Sequence, residues 1–212
     1  MNYQRILTDV GEYYGSKLKQ HGPVPQGVDW NSRQSQELRF EQLLKVCDLS
    51  QPFSLNDYGC GYGSLVEYLT QRGCHFQYRG FDISASMIEE ARKQHGENHG
   101  CEFFSEESCL TEADYAVASG IFNVRQRVPD GEWLEYVLHT VDRLAATSVK
   151  GFAFNALTKY SDADRMRPDL YYADPCFLFD YCKRHFSRHV ALLHDYGLYE
   201  FTLIVRTEPT FK

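Results

Sequence analysis

The segment DYGCGYG, residues 57–63, places an aspartate two positions before the first of three alternating glycines. Glycine lets the backbone turn tightly and lets a ligand approach without meeting a Cβ atom. A helix that starts after such a loop offers unpaired N–H groups to an anion. A dinucleotide-binding loop has the spacing G-x-G-x-x-G, whereas this loop has G-x-G-x-G. Because Asp57 would repel a pyrophosphate and attract an ammonium group, the loop favours a ligand with an amino-acid portion.

A second carboxylate, Asp82, ends the apolar segment YRGFD. An acid at the end of the second parallel strand of a sheet can accept hydrogen bonds from both ribose hydroxyls of a nucleoside. Each feature also has a simpler interpretation. The glycine loop is compatible with a tight strand–helix turn in an unrelated α/β protein, and Asp82 with an exposed acid that leads into a helix. The two features together are more specific than either one alone.

Apolar runs alternate with amphipathic stretches from Gln36 onwards, and this alternation predicts a doubly wound, mostly parallel sheet. Asp174 followed by Pro175 predicts a helix N-cap and a first-turn proline. The last two strands are joined by so few residues that they must be antiparallel, which predicts one reversed strand at the edge. The predicted strands are 53–58, 74–81, 101–104, 115–122, 151–157, 190–194 and 199–206, and the predicted helices are 36–47, 64–72, 84–93, 131–146 and 175–185.

The N-terminal region is polar and differs from the rest of the chain. Its middle, residues 15–32, is predicted to be loop-like, because Pro23, Pro25 and nearby glycines prevent a continuous helix. We expect residues 1–35 to form a lid or cap over the ligand, and residues 36–212 to form the ligand-binding domain.

The segments LNDYGCGYGSL and YRGFDISASMIEEAR resemble the first two motifs of class I S-adenosylmethionine-dependent methyltransferases. The resemblance covers roughly residues 36–206. It implies an α/β fold, namely a doubly wound, mostly parallel seven-stranded sheet with an antiparallel edge strand, to which the N-terminal cap is added. It also implies S-adenosylmethionine as cofactor and S-adenosylhomocysteine as product.

The resemblance further implies roles for individual residues. Asp57 would meet the ammonium of the methionine portion, Asp82 would hold the ribose, and Tyr58 would place a ring face near the sulfonium. The residue after the third strand that usually meets the adenine amino group is displaced or replaced in this sequence. Met87 is equally compatible with core packing, and Arg39 with a surface charge. The other predicted cofactor contacts are Gly59, Gly61, Gly63, Ile83, Met87, Ser105, Glu106 and, for the methionine carboxylate, Arg39.

Ligands in such sheets bind outside the carboxyl ends of the strands, which selects candidate catalytic residues. Methyl transfer needs a general base only if the nucleophile arrives protonated. His194, in the last predicted turn, is the first candidate base, with Asp195 or Tyr196 as helpers. His21 in the lid is a weaker candidate. A hairpin histidine without a ligand is the simpler interpretation of His194.

The acceptor contacts are predicted on irregular segments of the chain. Asn123 follows the fourth strand, where it would touch substrate or cap a helix. The segment 159–174 would form a substrate wall whose arginines bind an anionic group, or a solvated loop whose aspartates balance those arginines. Trp30 would be a lid ring or ordinary packing. The predicted substrate residues are Trp30, Asn123, Arg165, Arg167, Tyr171, Tyr172 and Tyr196.

The amino-acid composition limits the classes of partner that the chain is expected to bind. Twenty-two Lys and Arg residues against 29 Asp and Glu residues give a net charge of −7, which argues against nucleic-acid or anionic-membrane partners. Seven cysteines without a C-x-x-C pair indicate reduced thiols in a cytoplasmic protein. His185 and His189 are four residues apart, but a predicted helix–strand boundary separates them, so no metal site is expected. Oligomeric state is not indicated.

The sequence therefore predicts a cytoplasmic, metal-independent methyltransferase that acts on a small molecule, with oxygen or nitrogen favoured as the acceptor atom. DNA amino-methyltransferases of this fold carry Asn or Asp, two prolines and an aromatic residue after the fourth strand, where this chain reads SGIFN. One alternative is a non-catalytic S-adenosylmethionine-binding regulator or scaffold. A less favoured alternative is a nicotinamide-dependent oxidoreductase, whose glycine spacing the loop lacks.

Overall fold

A computed structural model describes residues 3–98 and 100–207 of the chain. Residues 1–2 of the predicted cap, and residues 99 and 208–212 of the predicted ligand-binding domain, lie outside the described residues. The helices are α1 (Tyr3–His21), α2 (Arg33–Leu43), α3 (Ser64–Gln71), α4 (Ala85–His95), α5 (Asp130–Ala146) and α6 (Pro175–His185). The strands are β1 (Phe53–Tyr58), β2 (Phe76–Phe81), β3 (Cys101–Phe104), β4 (Ala113–Ala118), β5 (Ser148–Leu157), β6 (His189–Leu193) and β7 (Glu200–Arg206).

The seven strands form one sheet in the order β3-β2-β1-β4-β5-β7-β6. The first five strands are mutually parallel, and β7 runs antiparallel to both of its neighbours. This arrangement confirms the predicted mostly parallel, seven-stranded α/β fold. The reversed strand β7 lies one place inside the sheet and β6 forms its outer edge. Accordingly, six of the seven β7 residues are buried, whereas every β6 residue is at least partly exposed.

Helices cover both faces of the sheet, because successive strand residues point to opposite sides. One core packs α1, α5 and α6 against residues such as Ala116 and Phe154. The other packs α2, α3 and α4 against their sequence neighbours Val117 and Ala153. The carboxyl ends of the parallel strands therefore open toward a single edge, where a ligand can enter between the two layers.

Helix α1 corrects the loop predicted at residues 15–32. The helix continues to His21 and stops at Gly22, whose φ is +77°, so the prolines exclude a helix only beyond that point. Gly11 and Gly15 let α1 approach the start of α4 closely. A Cβ atom at Gly11 would lie 3.3 Å from Ile83 Cγ2, and one at Gly15 would lie 3.3 Å from Ser86 Oγ. No helix among the described residues has the length and apolar character needed to cross a membrane.

Asp174→Ala tests the predicted N-cap of α6. The Asp174 Oδ1 atom accepts hydrogen bonds from the backbone N–H groups of Cys176, at 2.9 Å, and Phe177, at 3.2 Å. We expect the substitution to lower the free energy of unfolding by about 1 kcal/mol, measured by urea denaturation. Lys159→Ala is the control, because it removes the exposed ion pair with Asp174 and a contact with the Tyr160 ring but leaves both cap hydrogen bonds in place. An equal loss in both variants would assign the stabilisation to the ion pair instead of the cap.

Candidate active site

A cleft lies at the carboxyl ends of β1, β2 and β4, beneath α1 and the turn that carries Trp30. It contains about 820 Å³ of empty space, including solvent at its mouth. The lining residues are Leu7, Val10, Tyr14, Val28, Trp30, Gln36, Phe40, Asp57, Tyr58, Gly59, Cys60, Gly61, Ser64, Phe81, Asp82, Ile83, Met87, Ser119, Gly120, Ile121 and Tyr136. The structure thus brings both predicted acids and most of the glycine loop into one site.

Asp57 lies near the end of β1 and is 3% exposed. Its Oδ2 atom accepts a hydrogen bond from the Tyr78 hydroxyl at 2.6 Å, whereas its buried Oδ1 atom has no partner among the described residues. Burial raises the pKa of Asp57 to about 7; the Tyr78 hydrogen bond opposes this shift and the nearby Asp82 carboxylate adds to it. A buried, unsatisfied carboxylate oxygen in a cleft is suited to a cationic donor.

The glycine loop follows Asp57 and needs glycine for two separate reasons. Gly59 has φ +81°, and a Cβ atom there would lie 2.2 Å from Ile121 Cγ2. Gly61 has φ +54°, a region that other residues rarely adopt. Gly63 lies outside the cleft lining and faces His95 and Phe103 instead. Its predicted contact with a ligand is therefore replaced by a role in starting α3.

Asp82 lies directly after β2 and is tied to the glycine loop. Its Oδ2 atom accepts from the Gly61 N–H at 2.9 Å, and its Oδ1 atom accepts from the Ser84 N–H at 2.8 Å. Burial raises the pKa of Asp82 to about 6, while the two backbone hydrogen bonds oppose the shift. Each oxygen keeps acceptor capacity beyond these bonds. Asp82 can therefore fix the loop and also accept hydrogen bonds from ligand hydroxyls.

Three other predicted cofactor residues line the cleft, and two do not. Tyr58, Ile83 and Met87 surround its apolar part. Ser105 and Glu106 are exposed and lie outside the lining, because the chain turns into a short 3₁₀ helix soon after β3. The structure does not bring these two residues to the site.

Arg39 corrects another prediction. Its Nε and Nη2 atoms each donate to the Glu200 carboxylate at 2.8 Å, and Nη1 donates to the Ser35 carbonyl at 2.7 Å. The guanidinium also lies 3.8 Å from the centroid of the Trp30 ring. Arg39 is absent from the cleft lining, so it holds Trp30 in place instead of reaching a ligand carboxylate. On the cleft side, the Trp30 ring covers Gly120, where a Cβ atom would lie 2.2 Å from Trp30 Cη2.

The predicted base, His194, lies outside the cleft lining and is exposed. Its ring is 6.2 Å from that of Tyr160. Tyr196 is also outside the lining, and its hydroxyl pairs with Thr202 Oγ1 at 2.9 Å. The sheet order explains both corrections, because β5 separates the β6–β7 hairpin from β1, β2 and β4, whose ends form the cleft.

The remaining predicted substrate residues have partners elsewhere. The Asn123 Oδ1 atom accepts from the Leu157 N–H at 3.0 Å, which ties the β4 loop to the end of β5. The Arg167 Nε atom donates to Asp169 at 3.1 Å, and the Arg165 Nε atom lies 3.7 Å from an Asp164 carboxylate oxygen. The residues predicted to contact substrate that lie outside the lining are Asn123, Arg165, Arg167, Tyr171, Tyr172 and Tyr196.

Sequence reasoning placed residues 1–35 over the ligand but missed the apolar face of α1. Leu7, Val10 and Tyr14 line the cleft and are three and four positions apart, which places them on one helix face. This spacing, with Gly11 and Gly15 on the packed side, was the available signal. Ser119, after β4, begins the strand-end segment 119–123 that was expected near the ligand, and it lines the cleft although no contact was assigned to it. Its buried hydroxyl has no hydrogen-bond partner in the described part of the chain.

These features fit S-adenosylmethionine. The unsatisfied Asp57 Oδ1 and Ser119 Oγ atoms match a ligand with polar donors, and the open glycine loop gives room for a ligand chain. Asp82 stands where ribose hydroxyls would be bound. The acidic character of the lining opposes a pyrophosphate and so disfavours a nicotinamide dinucleotide.

The chain is similar to known proteins in both sequence and fold. Residues 56–145 match the family model described as a methyltransferase domain. A Mycobacterium tuberculosis protein named as a methyltransferase is 52% identical over 163 residues, which cover 77% of this chain and 98% of that protein. The N-methyltransferase NodS from Bradyrhizobium japonicum, solved with S-adenosylhomocysteine, has a TM-score of 0.65 at 13% identity, over 94% of this chain and 99% of NodS. Human N-acetylserotonin methyltransferase, solved with S-adenosylmethionine, has a TM-score of 0.62 at 17% identity, over 99% of this chain and 61% of that one.

The two solved structures share the fold of this chain, and the Mycobacterium tuberculosis relative covers enough of it to show the family. Together with the acid-flanked glycine loop and Asp82, these comparisons lead to one assignment. The chain belongs to the class I S-adenosylmethionine-dependent methyltransferases, with S-adenosylmethionine as its cofactor.

Proposed function

We propose that this methyltransferase transfers the methyl group to an oxygen or nitrogen atom of a small molecule. The observation that carries the proposal is the enclosure of the cleft. Helix α1 and the Trp30 turn cover it, and apolar and aromatic side chains make up most of its lining, as is typical of small-molecule sites. A macromolecular acceptor would need a more open approach to the methyl group. On the same evidence, we propose that residues 1–35 act as the lid of the 36–212 domain.

In this proposal, different lining residues contact different parts of the cofactor. Asp57 accepts a hydrogen bond from the ammonium group, and Asp82 accepts hydrogen bonds from the ribose hydroxyls. Gly59 and Gly61 lie along the methionine portion. The contacts proposed for the adenine are apolar and come from Ile83 and Met87.

The positive sulfur of the cofactor activates its methyl group, so the protein mainly needs to orient the acceptor and exclude water. The position of α1 is consistent with a protein that mainly orients the acceptor and excludes water, because its apolar face closes the cleft over the strand ends. No histidine, lysine or arginine lines the cleft in the described ranges. We therefore propose catalysis by alignment, in which the acceptor atom approaches in line with the breaking bond.

Transfer of a radioactive methyl group tests the proposed acceptor class. The purified protein would be incubated with methyl-labelled S-adenosylmethionine and, separately, with the small-molecule, protein and nucleic-acid fractions of a cell extract. We expect label only in products of the small-molecule fraction. Label that enters only protein or nucleic acid would contradict the proposal, whereas an Asp57→Asn control without transfer would show that the signal is enzymatic.

Asp82→Ala tests the proposed ribose contact. We expect the affinity for S-adenosylhomocysteine to fall by about 1–3 kcal/mol, because hydrogen bonds to a charged acceptor are lost. Titration calorimetry would measure this change, and circular dichroism would check that the fold is intact. Asp164→Ala, which removes an exposed carboxylate, is the matched control. An unchanged affinity in the Asp82 variant would remove Asp82 from the site.

A further inference from the structure

One part of the cleft lining, the α1 wall, has a consistent, largely apolar chemical character. It consists of Leu7, Val10 and Tyr14 of α1 together with Ile121 and Tyr136. Val10 is 8% exposed and Tyr136 is 3% exposed, so the wall is largely removed from solvent. Its polar atoms are phenolic hydroxyls, which donate or accept a hydrogen bond without carrying charge near neutral pH.

Charge in the cleft comes from Asp57 and Asp82 among the described lining residues, and both are acidic. An anionic acceptor placed there would meet two carboxylates and no cationic side chain among the described lining residues. Transfer of an unpaired anion into such surroundings costs several kcal/mol. The cleft therefore opposes a phosphorylated or carboxylated acceptor.

Cations close to this region are already paired. The Arg39 guanidinium is bound by Glu200 on the far side of Trp30. The Lys17 Nζ atom lies 2.7 Å from an Asp29 carboxylate oxygen, and the Arg167 guanidinium binds Asp169. The arginines that sequence analysis assigned to an anionic substrate are consequently unavailable without breaking ion pairs.

We propose that the acceptor of this methyltransferase is a neutral, apolar molecule, most simply an aromatic alcohol, that packs against the α1 wall. The inference rests on the proposed small-molecule function and narrows it to one chemical class. Tyr14 is placed to hold the acceptor hydroxyl, and Val10 and Ile121 pack against its ring. Because Gly11 fits against Ile83, α1 is anchored to the segment that also carries Asp82. The acceptor wall is thereby fixed relative to the cofactor site.

Binding of a matched pair of probes tests this proposal independently of turnover. 2-Naphthol and 2-naphthoate share a ring system and differ in charge, and their fluorescence reports binding to the protein saturated with S-adenosylhomocysteine. We expect saturable binding of 2-naphthol with a Kd at least tenfold lower than that of 2-naphthoate. Equal or tighter binding of 2-naphthoate, or no saturable binding of 2-naphthol, would overturn the proposed acceptor class. The radioactive-methyl experiment tests the proposed small-molecule function separately, so a failure of the acceptor-class proposal would not by itself contradict that function.

Two variants locate the probe. Val10→Asp introduces a charge into the wall and is expected to weaken 2-naphthol binding at least tenfold, whereas Val149→Asp places the same charge at an exposed position on β5 and is the matched control. Tyr14→Phe keeps the packing and is expected to raise the Kd about fivefold, since one hydrogen bond is lost. If Val10→Asp does not bind S-adenosylhomocysteine, the result for Tyr14→Phe decides whether the proposed location of 2-naphthol is correct. Unchanged binding of 2-naphthol by Tyr14→Phe would then contradict the proposed location.

Discussion

Asp57→Asn is expected to weaken S-adenosylmethionine binding by about 3 kcal/mol, which corresponds to about a hundredfold increase in Kd. The substitution removes the buried negative charge that would face the ligand ammonium, while an amide oxygen can still accept the Tyr78 hydrogen bond. Titration calorimetry with cofactor and with S-adenosylhomocysteine measures the loss. Asp164→Asn, at an exposed carboxylate, is the control for a general charge effect. A change of less than threefold would show that Asp57 does not meet the ammonium.

The affinity should also depend on pH with a defined sign. The pKa of Asp57 in the free protein is raised to about 7, so the carboxyl group is largely protonated at pH 6. Only the ionised form attracts an ammonium group, and binding at pH 6 therefore releases a proton. We expect the wild-type affinity to rise between about pH 5.5 and 7.5 and the increase to be much smaller in Asp57→Asn. Residual dependence below pH 6 would come from Asp82, whose pKa is about 6.

The stability of the free protein should change in the opposite direction. The folded-state pKa of Asp57, about 7, lies above its unfolded value of about 3.9, so the folded state binds more protons between these values. The wild-type free energy of unfolding therefore falls relative to that of Asp57→Asn as pH rises from about 4 to about 7. The relative loss is of the order of several kcal/mol. Urea denaturation across this range measures it, and a pH-independent difference between the two proteins would contradict the assigned pKa.

Arg39→Met is expected to lower the free energy of unfolding by about 3–5 kcal/mol, because it leaves Glu200 as an unpaired buried charge. Glu200 is 1% exposed, and both of its oxygens accept hydrogen bonds from Arg39 at 2.8 Å. Arg33→Met, which breaks exposed ion pairs with Glu37 and Glu67, should change stability by less than about 1 kcal/mol.

The double variant Arg39→Met with Glu200→Leu separates stability from ligand binding. Replacing both charges should restore most of the lost stability, since no charge remains buried without a partner. The double variant still lacks the guanidinium that stacks on Trp30. We therefore expect weaker S-adenosylhomocysteine binding than in wild type even where the fold is recovered. A double variant that binds like wild type would show that Arg39 has no role in placing Trp30.

The meeting of the glycine loop with Asp82 was predictable because its determinants are local in the sequence. Strands β1 and β3 begin and end at the predicted residues. The glycines that follow β1 and the acid that follows β2 are adjacent in the fold for a simple reason. Neighbouring parallel strands end at the same edge of a sheet, so Asp82 meets the backbone of Gly61. Motif spacing therefore indicated both the family and the position of the glycine loop at the cleft.

Contacts between distant segments were decided by the tertiary structure alone. Arg39 is paired with Glu200, 161 positions away, and sequence patterns do not reveal such pairings. His194 is placed far from the cleft because β7 inserts between β5 and β6, a choice of strand order that local periodicity does not encode. The α1 wall depends on how closely two glycines allow a helix to approach α4. The sequence by itself indicated the family and its cofactor, whereas the packing of remote elements decided which side chains line the cleft.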